Sequence, residues 1–191
     1  MTMIRVAIVD DHPAVRLGLE QAIDAAPGLA MAGLASTAAE LTPMLYRNQP
    51  DVLLLDYNLP DGDGLTACRT IKSDVPAPRV ILYSAFADAS MTVPAIVAGA
   101  DGVVDKGVQP RELIEAIREV AAGEDALPPV SADLLEAAGV ALDEGDLPIL
   151  GMLTERTPAS EIAVTMRLDS GELKHRIMRM LGCLTGSVPL R

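Results

Sequence analysis

The chain has no tryptophan, a single phenylalanine and three tyrosines in 191 residues, so its core must be built from aliphatic side chains and nine methionines. Cys68 and Cys183 are the only cysteines; far apart and without metal-type spacing, they suggest neither a disulfide framework nor a zinc site and fit a reducing compartment. No uncharged apolar run reaches the ~20 residues of a membrane-spanning helix, and Arg5 and Asp10 interrupt the N-terminus too early for a signal peptide. A cytoplasmic protein with no membrane partner is expected. Positive charge is also scarce. Fifteen Lys plus Arg against 27 Asp plus Glu leave a formal charge of -12, which argues against a general nucleic-acid coat.

The remaining composition is ordinary for a folded chain, with 50% hydrophobic and 22% charged residues. The length suits one domain or two small ones. Acidity is uneven: residues 1–141 hold 9 basic and 20 acidic groups, whereas residues 142–191 hold 6 and 7.

Five short apolar runs, at residues 4–9, 29–35, 52–55, 80–83 and 102–104, alternate with amphipathic stretches. Four are compact, as expected of strands buried on both faces; residues 29–35 are diluted by Gly33 and alanines. Helix punctuation lies between them. Pro13 and Pro110 suit first helical turns, and Thr37 with Glu40 has capping-box spacing. The pattern predicts an α/β fold of (βα)5 type, a parallel sheet covered on both faces that binds ligands at the carboxyl ends of its strands. Residues 123–141 read as a connector holding a helix near 130–138. Helices are predicted near 145–154, 158–166 and 170–184, with Thr157-Pro158 as one start and Asp169 and Glu172 as a capping box. Short helix, tight turn and longer helix suggest a helix-turn-helix.

Chemistry concentrates at the strand ends. Asp10 and Asp11 follow the first run and Asp56 follows the third, so neighbouring strands bring three carboxylates together. Such convergence calls for a cation, and an all-oxygen donor set favours Mg²⁺. Ser84 and Lys106 follow the fourth and fifth runs. Together these groups suit phosphoryl transfer, with Asp56 as in-line nucleophile and Lys106 and Ser84 holding phosphoryl oxygens. His12, before Pro13, reads as a helix-entry residue and not a ligand; Cys68 reads as a buried small hydrophobe. Met91, Met152, Met166, Met178 and Met180 read as core fillers.

Val-Asp-Asp-His-Pro (9–13), Asp-Tyr-Asn-Leu-Pro-Asp-Gly-Asp-Gly (56–64) and Gly-Ala-Asp-Gly-Val-Val-Asp-Lys (99–106) resemble the receiver domain of bacterial two-component response regulators. The resemblance implies a flavodoxin-like sheet in order 2-1-3-4-5 over residues 1–122, followed by a connector at 123–141. It makes Asp56 the phospho-acceptor for a sensor histidine kinase and adds the backbone carbonyl of Asn58 to Asp10, Asp11 and Asp56 as Mg²⁺ ligands. It implies self-directed Mg²⁺-dependent chemistry and not an enzyme acting on external substrates. Ser84 and Val103 take the switch positions. Val103 stands where the family carries Tyr or Phe, and Pro94 falls near the expected middle of the fourth helix, so altered or weak coupling to the output is expected.

Residues 142–186 resemble the DNA-binding domain of NarL/LuxR-type regulators, through Glu161-Ile162-Ala163 and the ungapped stretch 168–184. Leu173, Ile177, Met180 and Leu184 form one stripe suited to the scaffold helix. Lys174, His175, Arg176 and Arg179 are left for promoter DNA, in a stretch (167–184) with four basic and two acidic groups. Glu172 takes the place of a family threonine, and Pro148 points to a late start of the first output helix, near Asp146. Only Ser-Val-Pro-Leu-Arg stands at the place of the family's final helix, so residues 142–191 read as an output domain shortened at its C-terminus, with homodimerisation left open. The expected function is phosphorylation-controlled transcription. The rival readings are a receiver acting through protein contacts, one acting without phosphorylation, and a small Mg²⁺-dependent phosphatase.

Overall fold

The computed structural model describes residues 3–73, 77–85 and 87–186. The apolar runs become β1 (Ile4–Val9), β2 (Leu29–Ala35), β3 (Val52–Asp56), β6 (Arg79–Ser84) and β7 (Gly102–Asp105), with the two-residue strands β4 (Asn58–Leu59) and β5 (Gly62–Asp63) forming a hairpin after β3. The sheet runs β2-β1-β3-β6-β7, all parallel, which is the expected 2-1-3-4-5 order once the hairpin is set aside. Residues pair Val9 with Leu55, Asp56 with Tyr83 and Ser84 with Asp105, so the strands finish along one edge. β3 is buried at every residue, as its unbroken apolar run requires.

Helices cover both faces. α1 (Pro13–Ala25) and α5 (Pro110–Ala122) press Leu19, Ile23, Leu113 and Ile117 onto one face. α2 (Ala38–Asn48), α3 (Gly64–Lys72) and α4 (Thr92–Ala98) press Leu41, Leu65, Cys68, Val93 and Val97 onto the other. Pro13 and Pro110 sit in first turns, where a missing N–H costs nothing. Thr37 Oγ1 accepts from Glu40 N, but Glu40 answers one residue further out, accepting from Ser36 N at 2.8 Å. Burial pushes the Cys68 thiol up to about 12, so it packs as an inert hydrophobe.

One expectation changes here. Pro94 does not interrupt the middle of the fourth helix: α4 begins at Thr92 after a single 3-10 turn, leaving Pro94 in its first turn, where the N–H that proline lacks would have no partner within α4. The connector is pinned to the sheet near its start. Ala126 extends the sheet beside β7, donating to Asp101 O at 2.8 Å and accepting from Val103 N at 3.0 Å.

Beyond it lie α6 (Ala132–Val140), α7 (Leu147–Thr154), α8 (Ala159–Met166) and α9 (Ser170–Gly186). Pro148 falls in the first turn of α7, and Asp169 Oδ1 caps α9 by accepting from Glu172 N at 2.8 Å. α8 starts with Pro158 at its cap and no side-chain cap bond from Thr157. The α9 stripe of Leu173, Ile177, Met180 and Leu184, joined by Leu181, is buried, but not against the scaffold helix α8 alone. α7 and α8 have eight residues each, too few to cover a 17-residue helix. α9 therefore also packs on α4 and α3, and α7 on α4. Ile149, Ile162 and the stripe join the core cluster that contains Leu53, Val93 and Val97. Arg156, at φ 60°, fastens the α7–α8 turn to this body, with Nε 2.9 Å from Asp125 and Nη2 donating to Ala100 O at 3.1 Å. Among the described residues no helix is long and apolar enough to cross a membrane. The segment 187–191, expected at the place of a final helix, lies outside the described residues.

Candidate functional site

Parallel strands in register carry five of the predicted groups to one edge. Asp10 and Asp11 leave β1, Asp56 and Ser84 end β3 and β6, and Lys106 follows β7. Asp10, Asp56 and Ser84 are almost wholly buried, at 1%, 3% and 1% exposure. Lys106 Nζ lies 2.7 Å from Asp10 Oδ2 and 2.8 Å from Asp56 Oδ2, and its backbone N–H donates to Ser84 O at 2.8 Å. One carboxylate atom each from Asp10, Asp11 and Asp56, with a ring nitrogen of His12, lie within 4.8 Å of one another.

The loops are pinned around this cluster. Asp10 Oδ1 accepts from His12 N at 2.8 Å, and the Arg16 guanidinium donates to Asp10 O. Asn58 N donates to Asp56 Oδ1 at 3.3 Å, bringing the β3–β4 turn against the acceptor. Asp61, in the hairpin, caps α2 with both oxygens, accepting from Ala38 N and Ala39 N at 2.8 and 2.9 Å. Gly64 closes the turn, donating to Tyr57 O at 2.7 Å; a Cβ there would collide with the Asp56 carbonyl.

Burial raises the Asp56 carboxyl above its ordinary range, Asp10 adding to the rise and Lys106 partly opposing it. Lys106 is itself raised: burial disfavours its charge, but Asp10 and Asp56 outweigh that. Asp11 Oδ1 and Asp56 Oδ2 are buried without an aligned hydrogen-bond donor, although His12 Nδ1 lies against the first and Lys106 pairs with the second. Buried carboxylate oxygens left in this state make an oxygen-rich pocket compatible with a metal ion.

His12 was set aside as a ligand from the sequence; the fold brings its Nδ1 against Asp11 and within 3.4 Å of Asp10 Oδ1. Sequence reasoning passed over Arg16, Asp61 and Tyr83. Arg16 could have been suspected from its place one turn after Pro13, and Tyr83 from directly preceding Ser84. Asp61 gave no local signal, because its partners belong to another helix. Val103 is buried in the core face that the C-terminal helices share.

The basic groups of α9 divide. Lys174 and His175 are exposed. Arg176 and Arg179 are not free, as the helical wheel had them: Arg176 Nε donates to Asp146 Oδ1 at 2.7 Å, and Arg179 Nη2 to Asp146 Oδ2 at 2.8 Å. Asp146 is 1% exposed, and a carboxylate that deep requires neutralisation.

A family model described as the response regulator receiver domain matches residues 6–118. The chain is 34% identical to the DNA-binding transcriptional activator DevR/DosR of Mycobacterium tuberculosis, over 95% of this chain and 88% of that protein. It is 30% identical to the nitrate/nitrite response regulator protein NarL of Escherichia coli, over 92% and 87%. Among solved structures, a LuxR-family two-component response regulator from Aurantimonas sp. SI85-9A1 superposes with a TM-score of 0.63 at 32% identity, covering 71% of this chain and 94% of that one. The Salmonella typhimurium RcsB response regulator shares the fold over 97% of this chain and 93% of its own, with a TM-score of 0.62 at 22% identity.

Proposed function

As the chain belongs to the response regulators of the NarL/LuxR type, we propose that it is a transcriptional regulator whose DNA binding is controlled by phosphorylation of Asp56. The observation that carries this reading is the convergence of Asp10, Asp11, Asp56 and Lys106 on one sheet edge, with Lys106 bridging Asp10 and Asp56 at 2.7 and 2.8 Å. In this reading residues 1–122 accept the phosphoryl group, 123–141 connect, and 142–191 form the output. The protein is cytoplasmic, and it turns over no external substrate.

An Asp56 carboxylate oxygen attacks phosphorus in line; the new O–P bond forms as the bond to the donor breaks, and the leaving group takes that electron pair. The donor is a histidine kinase phosphohistidine or a small acyl phosphate. Lys106 partly offsets the burial that disfavours the Asp56 carboxylate, then swings its ammonium from the carboxylate to a phosphoryl oxygen. The Ser84 hydroxyl lies on the same edge to bond a second oxygen. Asp10, Asp11, Asp56 and the Asn58 carbonyl would hold Mg²⁺, which when bound neutralises charge on the phosphoryl oxygens. Arg16 and Asp61 fix the loops that present these ligands.

The output helices rest on α3 and α4, so a change at the phosphorylated edge reaches α9 by shifting the population of states in which α9 stays seated. With two of four basic groups on α9 tied to Asp146, a second reading has these helices bind protein instead of DNA. Titration with promoter DNA fragments, before and after treatment with Mg²⁺ and acetyl phosphate, tests the choice. Regulated DNA binding requires affinity that rises on phosphorylation and falls steeply with salt. No measurable affinity at low salt in either state favours the protein-binding reading.

A further inference from the structure

We propose that Tyr83 is a positioning residue for Lys106, holding the ammonium in the place from which it serves Asp56. The inference rests on the phospho-acceptor reading of this site. Tyr83 pairs in register with Asp56 on β3 and Val104 on β7 and directly precedes Ser84, so it sits among the strands that deliver the acceptor, the hydroxyl and the lysine. Its side chain lies on the sheet face covered by α1 and α5, in the cluster with Ile81, Val104 and Leu113. Lys106 crosses it at both ends. The Tyr83 hydroxyl donates a long hydrogen bond, 3.4 Å, to the Lys106 backbone carbonyl, and the Lys106 ammonium stands 5.8 Å from the ring centroid, within cation–π range.

The two contacts act on different parts of the lysine. Its backbone is held by the Tyr83 hydroxyl and by its own N–H bond to Ser84 O, and its tip is held by the ring, Asp10 and Asp56. When Asp56 gains a phosphoryl group, the ammonium must move within this cage. The ring face remains attractive along that path, whereas the carboxylate contacts are exchanged for phosphoryl oxygens. Tyr83 is buried under α1 and α5, so its ring limits the ammonium to positions near the acceptor and keeps it from swinging to solvent. The aromatic group expected near the site is absent at Val103; Tyr83 stands on the opposite face of the sheet, against α5 and not against the output helices.

The test uses the full chain and its Tyr83→Leu and Tyr83→Phe variants, with acetyl phosphate and Mg²⁺. Adduct formation is followed by intact mass, and Mg²⁺ affinity is titrated separately. Loss of the ring slows phosphorylation by roughly two- to tenfold, the worth of one cation–π contact. Mg²⁺ affinity does not fall, because Tyr83 touches no carboxylate ligand and a less firmly held Lys106 competes less for Asp10 and Asp56; a merely structural role would lower both. Tyr83→Phe keeps the ring and stays within about twofold of the unsubstituted rate. If Tyr83→Leu does not fold, the phenylalanine variant carries a second readout. The chain has no tryptophan, so the tyrosine fluorescence change on adding beryllofluoride and Mg²⁺ is measurable, and it must shrink in Tyr83→Phe. Equal phosphorylation rates in all three chains, or an unchanged fluorescence response in Tyr83→Phe, overturn the assignment. Absence of any adduct on the unsubstituted chain overturns the phospho-acceptor reading, and the role of Tyr83 with it.

Discussion

Ile177 lies in α9, yet replacing it should weaken the receiver. The residue is fully buried and belongs to the cluster that also contains Leu53, Val93 and Val97. Ile177→Ala removes three carbons, about 2.4 kcal/mol of transfer free energy at ~0.8 kcal/mol per methylene, and a residual cavity brings the cost to about 2–5 kcal/mol. For a chain of this size that lowers the melting temperature by roughly 4–20 °C. The assay is urea or thermal unfolding followed by tyrosine fluorescence. All three tyrosines, Tyr46, Tyr57 and Tyr83, precede residue 123, and no tryptophan obscures them, so the signal reports the receiver alone. A shared core requires the tyrosine-detected transition to move with the α9 substitution and to coincide with the helical transition seen by far-UV circular dichroism. An unmoved tyrosine transition, with only a second helical transition displaced, would refute the reasoning and make α7 to α9 a separate folding unit.

Asp101 is buried between Lys72 and Arg79, with Nη1 of Arg79 at 2.7 Å, and accepts from Val80 N at 2.7 Å; Asp101→Asn should cost about 3–5 kcal/mol at neutral pH. Burial alone would raise this carboxyl, but Lys72 and its other partners outweigh it and hold it below the usual range. Its stabilisation is therefore present above the ordinary carboxylate pKa and lost as pH falls through the lowered one, so acid unfolding of the variant should be shallower below about pH 4. Asp56 carries the opposite sign: its raised carboxyl makes ionisation a cost to the fold that appears as pH rises through the folded pKa and vanishes below the ordinary carboxylate range. Asp56→Asn should thus melt higher than the unsubstituted chain at pH 7 and equal to it in acid; a lower melting temperature at pH 7 would count against the geometry. On α9, Lys174→Ala should reduce the magnitude of the log K against log salt slope by about 1, whereas Arg176→Ala, whose guanidinium is already paired with Asp146, should leave the slope unchanged. Equal slope changes would mean that Arg176 leaves Asp146 to reach phosphate.

The sheet and its acidic edge were legible because both depend on local pattern. An apolar run followed at once by Asp marks a strand end that needs no distant information, and β1, β3, β6 and β7 fall within a residue or so of the runs that announced them. What stayed hidden depends on distance. The α9 stripe tells that a face is buried but not what buries it, so α4 could not be read as its partner. Asp146 lies 30 residues before Arg176, and nothing local shows that it claims two of the four basic groups. Ala126 pairs with the sheet edge through its backbone, which side-chain composition cannot reveal in a stretch rich in Pro, Gly and acid. Pro94 was misplaced because the stretch before it carries a 3-10 turn instead of the first turns of a longer helix.

The central claim is that Asp56 accepts a phosphoryl group at a cation-dependent site. Intact mass after incubation with Mg²⁺ and acetyl phosphate, run beside Asp56→Asn and an EDTA-treated sample, tests it most directly. The account predicts one added phosphoryl mass on the unsubstituted chain and none in either control. A folded, Mg²⁺-binding protein that gains no adduct from acetyl phosphate or a histidine kinase donor, or one that gains it equally in Asp56→Asn, would contradict it.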